Sequence, residues 1–327
     1  MTERPLISVA TPVYNGGRFL EQCIDSVIGQ TYADWEYIIL DNASDDDTSA
    51  IAARYAADDN RIKVHTNSVT VPVIENWNRS LHLISADSAY CRVLHADDWM
   101  YPTCLEKLTD VGLRHPSAAF ITSLRLRGNI VQCRGLPLEQ ELFNGRDCAR
   151  RFLRQHNFLL SPTCSLLRSD CVRARDPFYP VRYLHSDLAV YFDIMSEHDF
   201  GFVHEVLSYS RDHATSITAK LAAPKETLLR EWLSFLDEYG PRFFDSTELA
   251  QVKKGYLQHY FGKIVRGAGA LKGRDFIDFH LEGLREAGCA PTSIDLAYAT
   301  LREMAGAVRY PGKVFRYLRG SGVNRPH

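Results

Sequence analysis

The chain has 327 residues, a net charge of −2 and 24% charged residues; it is long enough for one large core or a core plus an appendage, and its balanced charge argues against a nucleic-acid binder. The N-terminus, MTERPLISVATPVYNGG, lacks the basic region and long apolar stretch of a signal peptide, and no apolar run approaches the length of a membrane span. The eight cysteines are scattered without a C-x-x-C pair or zinc-site spacing, so they are read as mostly buried thiols in a reducing compartment, the cytoplasm.

The first hundred residues alternate between strand and helix patterns. LISVATP is an apolar, β-branched run predicted as a strand ending at Pro12, with NGG as the turn after it. From Phe19, the positions Leu20, Cys23, Ile24, Val27 and Ile28 follow helical spacing. WEYIIL reads as a second buried strand ending at Asp41. The polar loop DNASDDDT then leads into a helix around Ile51 to Ala57. RIKVH is a third strand, VIENWNRSLHLI an amphipathic helix, and AYCRVL a fourth strand. This β-α-β-α order, with continuously apolar strands, predicts an α/β fold whose parallel sheet is covered on both faces.

Beyond Asp98 the pattern is mixed. AAFITSLRL and NIVQC flank Gly128-Asn129 as a hairpin, TCSLLR is a further strand, and HSDLAVYFDIM begins a helix. After about Ala219 the strands stop. KETLLREWLSFLDEY, ELAQVKKGYLQHYFGKIV and DFIDFHLEGLREAG are all helical in period. The expected division is a catalytic domain at 1–218, with halves at about 1–102 and 103–218, and a helical C-terminal subdomain at 219–327 ending in a basic tail.

Ligands of parallel sheets bind outside the carboxyl ends of the strands, and that is where the polar clusters fall. Thr11-Pro12-Val13-Tyr14-Asn15 follows the first strand, Asp41-Asn42-Ala43-Ser44 the second, and His95-Ala96-Asp97-Asp98 the fourth. Three clusters at one edge of one sheet make one site. Asp97 and Asp98 are adjacent like charges that repel each other and do not help the strand form. Two accounts fit them: a solvated loop in which one caps the helix starting near Thr103, or a divalent metal that turns repulsion into attraction.

Four motifs taken together resemble the inverting glycosyltransferases of family 2: ISVATPVYNGGRFLEQCIDSVIGQTY, ILDNASDDDT, LHADDW and LSYSRDHATSIT. The resemblance covers about the first two-thirds of the chain. It implies a GT-A fold, a Rossmann-like mixed but mainly parallel sheet flanked by helices. It also implies a nucleoside-diphosphate sugar as donor and a divalent Mn²⁺ or Mg²⁺ ion. Asp97 and Asp98 would share the metal and ribose duties, in an order left open, while His95 stands where the family often has an acid and is read as structural. Tyr14 would pack on the base, with Thr11, Pro12 and Asn15 around its pocket. Asp41 and Asn42 would meet the base edge, and Asn78 and Arg79 would approach the diphosphate, although a helix salt bridge also accounts for Arg79. Arg211 and His213 would close over the diphosphate, with His213 touching the metal. Asp187, at the start of a helix, would be the general base for the acceptor hydroxyl, or simply a carboxylate favoured by the helix dipole. Asp193 and Glu197 are read as surface or structural groups.

The expected function is therefore inverting sugar transfer to a saccharide or lipid-linked acceptor, in polysaccharide or glycolipid assembly. A nucleotidyltransferase is one alternative, against which TPVYNGG contains no lysine; a silent sugar-nucleotide-binding domain is another. From Arg302 onward, six basic residues face the single acid Glu303. Apolar and aromatic residues are interleaved among them, a composition suited to peripheral contact with the inner face of a membrane.

Overall fold

A computed structural model describes residues 4–156, 161, 164–213, 216, 218–269 and 272–309, with side chains to residue 305. The chain divides into two compact units, residues 1–214 and 215–327.

The first unit begins with strand β1 (Ile7–Val13), helix α1 (Gly17–Ile28), β2 (Trp35–Asp41), α2 (Thr48–Asp58), β3 (Ile62–Thr66), α3 (Val73–His82) and β4 (Tyr90–Val93). There follow β5 (Trp99–Met100), α4 (Cys104–Arg114), β6 (Ala118–Arg127), β7 (Ile130–Gln132), β8 (Leu142–Phe143) and α5 (Gly145–Gln155). The unit ends with β9 (Leu166–Arg168), α6 (Ser169–Arg173), α7 (Ser186–Met195) and β10 (Asp199–Ser210).

The sheet runs β3-β2-β1-β4-β9-β6-β10-β5, with β7 added to β6 and β8 to β10. The long pairs β1/β2, β2/β3 and β6/β10 are parallel, as is β1/β4. The antiparallel pairs are short, β9 for instance joining the two halves through two residues on each side. β1 and β2 are buried along their whole length, which is why their sequences are continuously apolar rather than alternating. The apolar stripe of α1 (Leu20, Cys23, Ile24, Val27) joins them with Leu105 and Leu108 of α4 in one core. Pro12 lies inside β1, opposite Leu40, but beyond Ala10, the last residue paired with β4. Its missing N–H therefore costs the ladder little. The β6–β7 hairpin pairs Arg127 with Ile130, so Gly128-Asn129 form a two-residue turn in which Gly128 has φ +57°.

The connections β1→β2→β3 run one way along the sheet, and β4 lies on the other side of β1. The order thus reverses between β1 and β4. Crevices open at such a reversal, at the carboxyl ends of the strands.

The second unit is helical: a short π-turn at Thr218–Ala222, then α8 (Ala223–Lys225), α9 (Leu228–Glu238), α10 (Gly240–Phe243), α11 (Ser246–Gly269), α12 (Arg274–Glu286) and α13 (Ser293–Arg309). Its core holds Trp232, Leu236, Tyr256, Tyr260, Phe276 and Leu284. α13 was not among the expected helices. Its start is written as a capping box: Asp295 accepts from the backbone N–H and the hydroxyl of Thr292, and Thr292 Oγ1 accepts from the Asp295 N–H. The basic tail therefore begins inside a helix, and its part from residue 310 lies outside the described residues. Among the described residues, no helix is long and apolar enough to cross a membrane.

Candidate active site

The floor between β1 and β4 is a polar clasp. Thr11 is fully buried; its hydroxyl donates to the Leu94 carbonyl at 2.7 Å and lies 2.8 Å from the Tyr37 hydroxyl. Thr11 thus ties the two strands together from beneath the crevice rather than lining it. Above it, Tyr14 is 52% exposed. Asn15 takes a left-handed backbone, φ +49°, which turns its Oδ1 to accept from the Asp45 N–H while its own N–H donates to Ser44 Oγ.

At the end of β2, the Asp41 carboxylate accepts from the Ser44 N–H and from the Ser49 hydroxyl. Asn42 is buried and its amide is engaged: Nδ2 donates to the Val71 carbonyl, and Oδ1 accepts from the N–H of Val71 and from Asn67. Its amide fastens the 67–71 loop. Asn78 is placed in the same manner. It donates to the Tyr179 carbonyl and accepts from the Tyr179 N–H, at 2.8 and 2.7 Å. Arg79 bonds to Glu75 one helical turn back and to Asn67.

The adjacent carboxylates separate in role. Neither caps α4, whose N-cap Thr103 makes no side-chain bond. Asp98 is buried and points into the end of β10: Oδ1 accepts from the Arg211 N–H at 2.9 Å and Oδ2 from Ser210 Oγ at 3.2 Å. Asp97 stays partly open, with Oδ2 lying 2.8 Å from Nε2 of His213. Arg211 donates to the Asp97 carbonyl and to Gln22, and its guanidinium sits 4.4 Å from the Phe19 ring centre and 5.0 Å from that of Trp99. The β4 and β10 ends are thus joined by a cationic and aromatic stack. Among the described residues no group of three or more Asp, Glu, His or Cys side chains is arranged to hold a metal ion, so any metal here would rest on Asp97 and His213. The Asp97 carboxylate suits a hard divalent ion that fills its other positions with phosphate and water, with His213 as an added nitrogen donor.

Asp187 opens α7. The protein crowds its carboxylate, and this desolvation raises its pKa above the ordinary Asp value; the positive fields of His185, His95 and Arg125 and the Leu188 N–H pull the other way. His95 packs its ring 4.8 Å from that of Trp77. Asp193 and Glu197 are engaged by Arg175. Arg125 has no signal in the sequence beyond an arginine in a strand. It donates to Gln132, to Ser161 and, at 3.3 Å, to Ser210, the residue that bonds Asp98.

Residues 8–174 match the model of "Glycosyl transferase family 2". The chain belongs to glycosyl transferase family 2. As a family 2 chain it is 33% identical over 123 residues to the O-antigen biosynthesis protein RfbC of Myxococcus xanthus, a match covering 37% of this chain and 10% of that protein. It is 29% identical over 103 residues to glycosyltransferase GlyG of Streptococcus pneumoniae, covering 32% of this chain and 34% of that one. The chain thus spans about a third or less of the length of these curated relatives. Among solved structures, S. aureus TarS 1-349 in complex with UDP-GlcNAc superimposes with a TM-score of 0.65 at 14% identity, covering 94% of this chain and 92% of that one. The fold is therefore that of a family 2, GT-A-type α/β domain followed by helices.

Proposed function

We propose that this family 2 chain is an inverting glycosyltransferase that moves a sugar from a nucleoside-diphosphate sugar to a hydroxyl acceptor in polysaccharide or glycolipid assembly. The observation that carries the reading is the contact between Asp97 and His213, made across 116 residues of sequence at the mouth of the β1/β4 crevice. RfbC, named for O-antigen biosynthesis, and TarS with its UDP-GlcNAc support the substrate class.

In this reading the exposed Tyr14 ring covers the base, while Asn15 and Asp41 shape the nucleotide loop beside it. Asp97 and His213 would hold a Mn²⁺ or Mg²⁺ ion, which would supply positive charge to offset that developing on the leaving diphosphate. Asp98 positions these donors by holding the Ser210 hydroxyl and the Arg211 backbone N–H. Arg211, fixed between Phe19 and Trp99, adds positive charge on the diphosphate side. Asn42, Asn78 and Thr11 act one layer below, by fixing the loops. Asp187 accepts the proton of the acceptor hydroxyl as that oxygen attacks the anomeric carbon. A raised pKa makes it a stronger base than an ordinary carboxylate. A single displacement with no covalent intermediate inverts the anomeric configuration.

The test is turnover of UDP-, dTDP- and GDP-sugars with Mn²⁺ or Mg²⁺, with and without chelator. Metal-dependent release of a nucleoside diphosphate from one of them is expected, and Asp97→Asn should reduce it by roughly a hundredfold or more. Full activity in excess chelator would overturn the metal assignment. Formation of a nucleotide sugar from a nucleoside triphosphate and a sugar phosphate would favour a nucleotidyltransferase. Calorimetric binding of all donors without turnover would favour a silent binding domain.

A further inference from the structure

We propose that the outward face of α13 is a docking surface for an anionic lipid bilayer. Ile294, Tyr298, Leu301 and Met304 are 80%, 58%, 66% and 61% exposed. Their steps of four, three and three residues place them in one stripe along the helix. The helix is held from its other side: Ala299 is buried, Glu303 pairs with Arg266 of α11, and a Cβ on Gly262 of α11 would come 2.7 Å from the Glu303 carboxylate. The stripe therefore faces outward on a helix that is already packed. The remaining large exposed apolar residues, such as Ile28, Leu113 and Val181, are scattered through the chain, which is ordinary for a protein surface. Four in one stripe is not.

Charge selects the occupant. Arg302 is exposed beside Leu301. After Glu303 the sequence carries Arg309, Lys313, Arg316, Arg319 and Arg325 and no acidic residue, with Tyr310, Val314, Phe315, Tyr317 and Leu318 among them. A second copy docking on this face would bring two such basic segments together and repel. Anionic headgroups would instead attract each cation near the surface, while the stripe enters the headgroup boundary.

The experiment is sedimentation of the full chain with vesicles of phosphatidylcholine alone and of phosphatidylcholine mixed with phosphatidylglycerol, at low and high salt. Binding to the anionic vesicles at low salt is expected, weakened about tenfold or more by high salt or by neutral lipid. The variant Ile294→Ser/Tyr298→Ser/Leu301→Ser/Met304→Ser should bind about tenfold more weakly with unchanged thermal unfolding; the pair Leu301→Ser/Met304→Ser serves if the fourfold variant unfolds early. A full chain that stays in the supernatant with anionic vesicles overturns the proposal, as does a stripe variant that binds like the parent. A dimer that the stripe variant dissociates, with no vesicle binding, assigns the face to a second copy instead. Because the readout is binding, its failure leaves the glycosyltransferase reading untouched.

Discussion

The carboxylate of Asp187 is held where ionisation is disfavoured. Desolvation raises its pKa in the folded chain, so at pH 7 the charged form weakens the fold, and stability returns as acidification through the raised value neutralises it. Asp187→Asn should therefore do two opposite things. It should cut acceptor transfer by about 10²–10⁴-fold, the range for losing a general base, with donor affinity by calorimetry unchanged. It should also raise the melting temperature at pH 7, by an amount that shrinks as the pH falls into the carboxylate range. A variant that transfers sugar normally would clear Asp187 of the role, and one that melts lower would contradict its desolvation. At this scale the sequence was legible in part. The three polar clusters do sit at the carboxyl ends of β1, β2 and β4. Which atom each residue spends, and on what, depended on partners far away in the chain: Asn78 on Tyr179, Asp98 on Ser210 and Arg211. No spacing rule reaches that far along the chain, so the sequence did not show that the side chains of Asn42, Asn78 and Asp98 bond to the protein itself.

Among the elements, β1, β2 and β4 were readable because each is buried along its length, and α1 and α3 because their buried residues recur at helical spacing. β10 was not. Register shifts after Phe200's neighbour Asp199, and again around Val206, interrupt its pairing with β6, and such bulges erase the two-residue period that marks a strand. α13 carried a readable start, Thr292-Ser293-Ile294-Asp295, but its outward apolar stripe obscured the usual polar face. The elements also differ in how tightly they are fitted. A Cβ added to Gly145, at the start of α5, would lie 1.9 Å from the His198 carbonyl and 2.8 Å from that of Met195, both backbone atoms at the far end of the helix that Asp187 begins. Gly145→Ala should destabilise by about 1–3 kcal/mol or more, because the backbone must move. Gly255→Ala, inside α11, meets nothing within 4 Å and should stabilise by about 0.5–1 kcal/mol through helix propensity. Urea unfolding of the two variants beside the parent checks both signs. Equal effects would mean that the close approach of α5 to α7 is not a constraint.

Over the whole molecule, acid sensitivity is built into both units. Burial lowers the pKa of His156 to about 4 in the first unit, and the second, which holds none of the catalytic groups proposed here, contains another histidine that cannot accept a proton cheaply. His280 is fully buried among Tyr260, Phe276 and Phe279, with Nδ1 2.8 Å from the Tyr260 hydroxyl. Burial lowers its pKa from 6.5 to about 4, with Lys272 and Arg230 acting in the same direction and Glu226 and the Lys225 backbone opposing them. The unfolded chain binds that proton near pH 6.5 and the folded chain only near pH 4, so stability is present above 6.5 and is lost as the pH falls between the two, by an amount of order 3 kcal/mol. Glu226 adds a separate loss at lower pH: burial works against its carboxylate, but Lys272 and Lys263 outweigh it and hold its pKa below the ordinary Glu value, so its contribution fades only once the pH falls below that value. Hydrogen exchange in α11 and α12, corrected for intrinsic rates, should thus lose protection between pH 7 and pH 5. His280→Phe should lower protection at pH 7, since Tyr260 loses its partner at a cost of about 1–3 kcal/mol, yet flatten the dependence on pH. If the variant keeps the parent's slope, the acid sensitivity between pH 7 and pH 5 does not belong to His280.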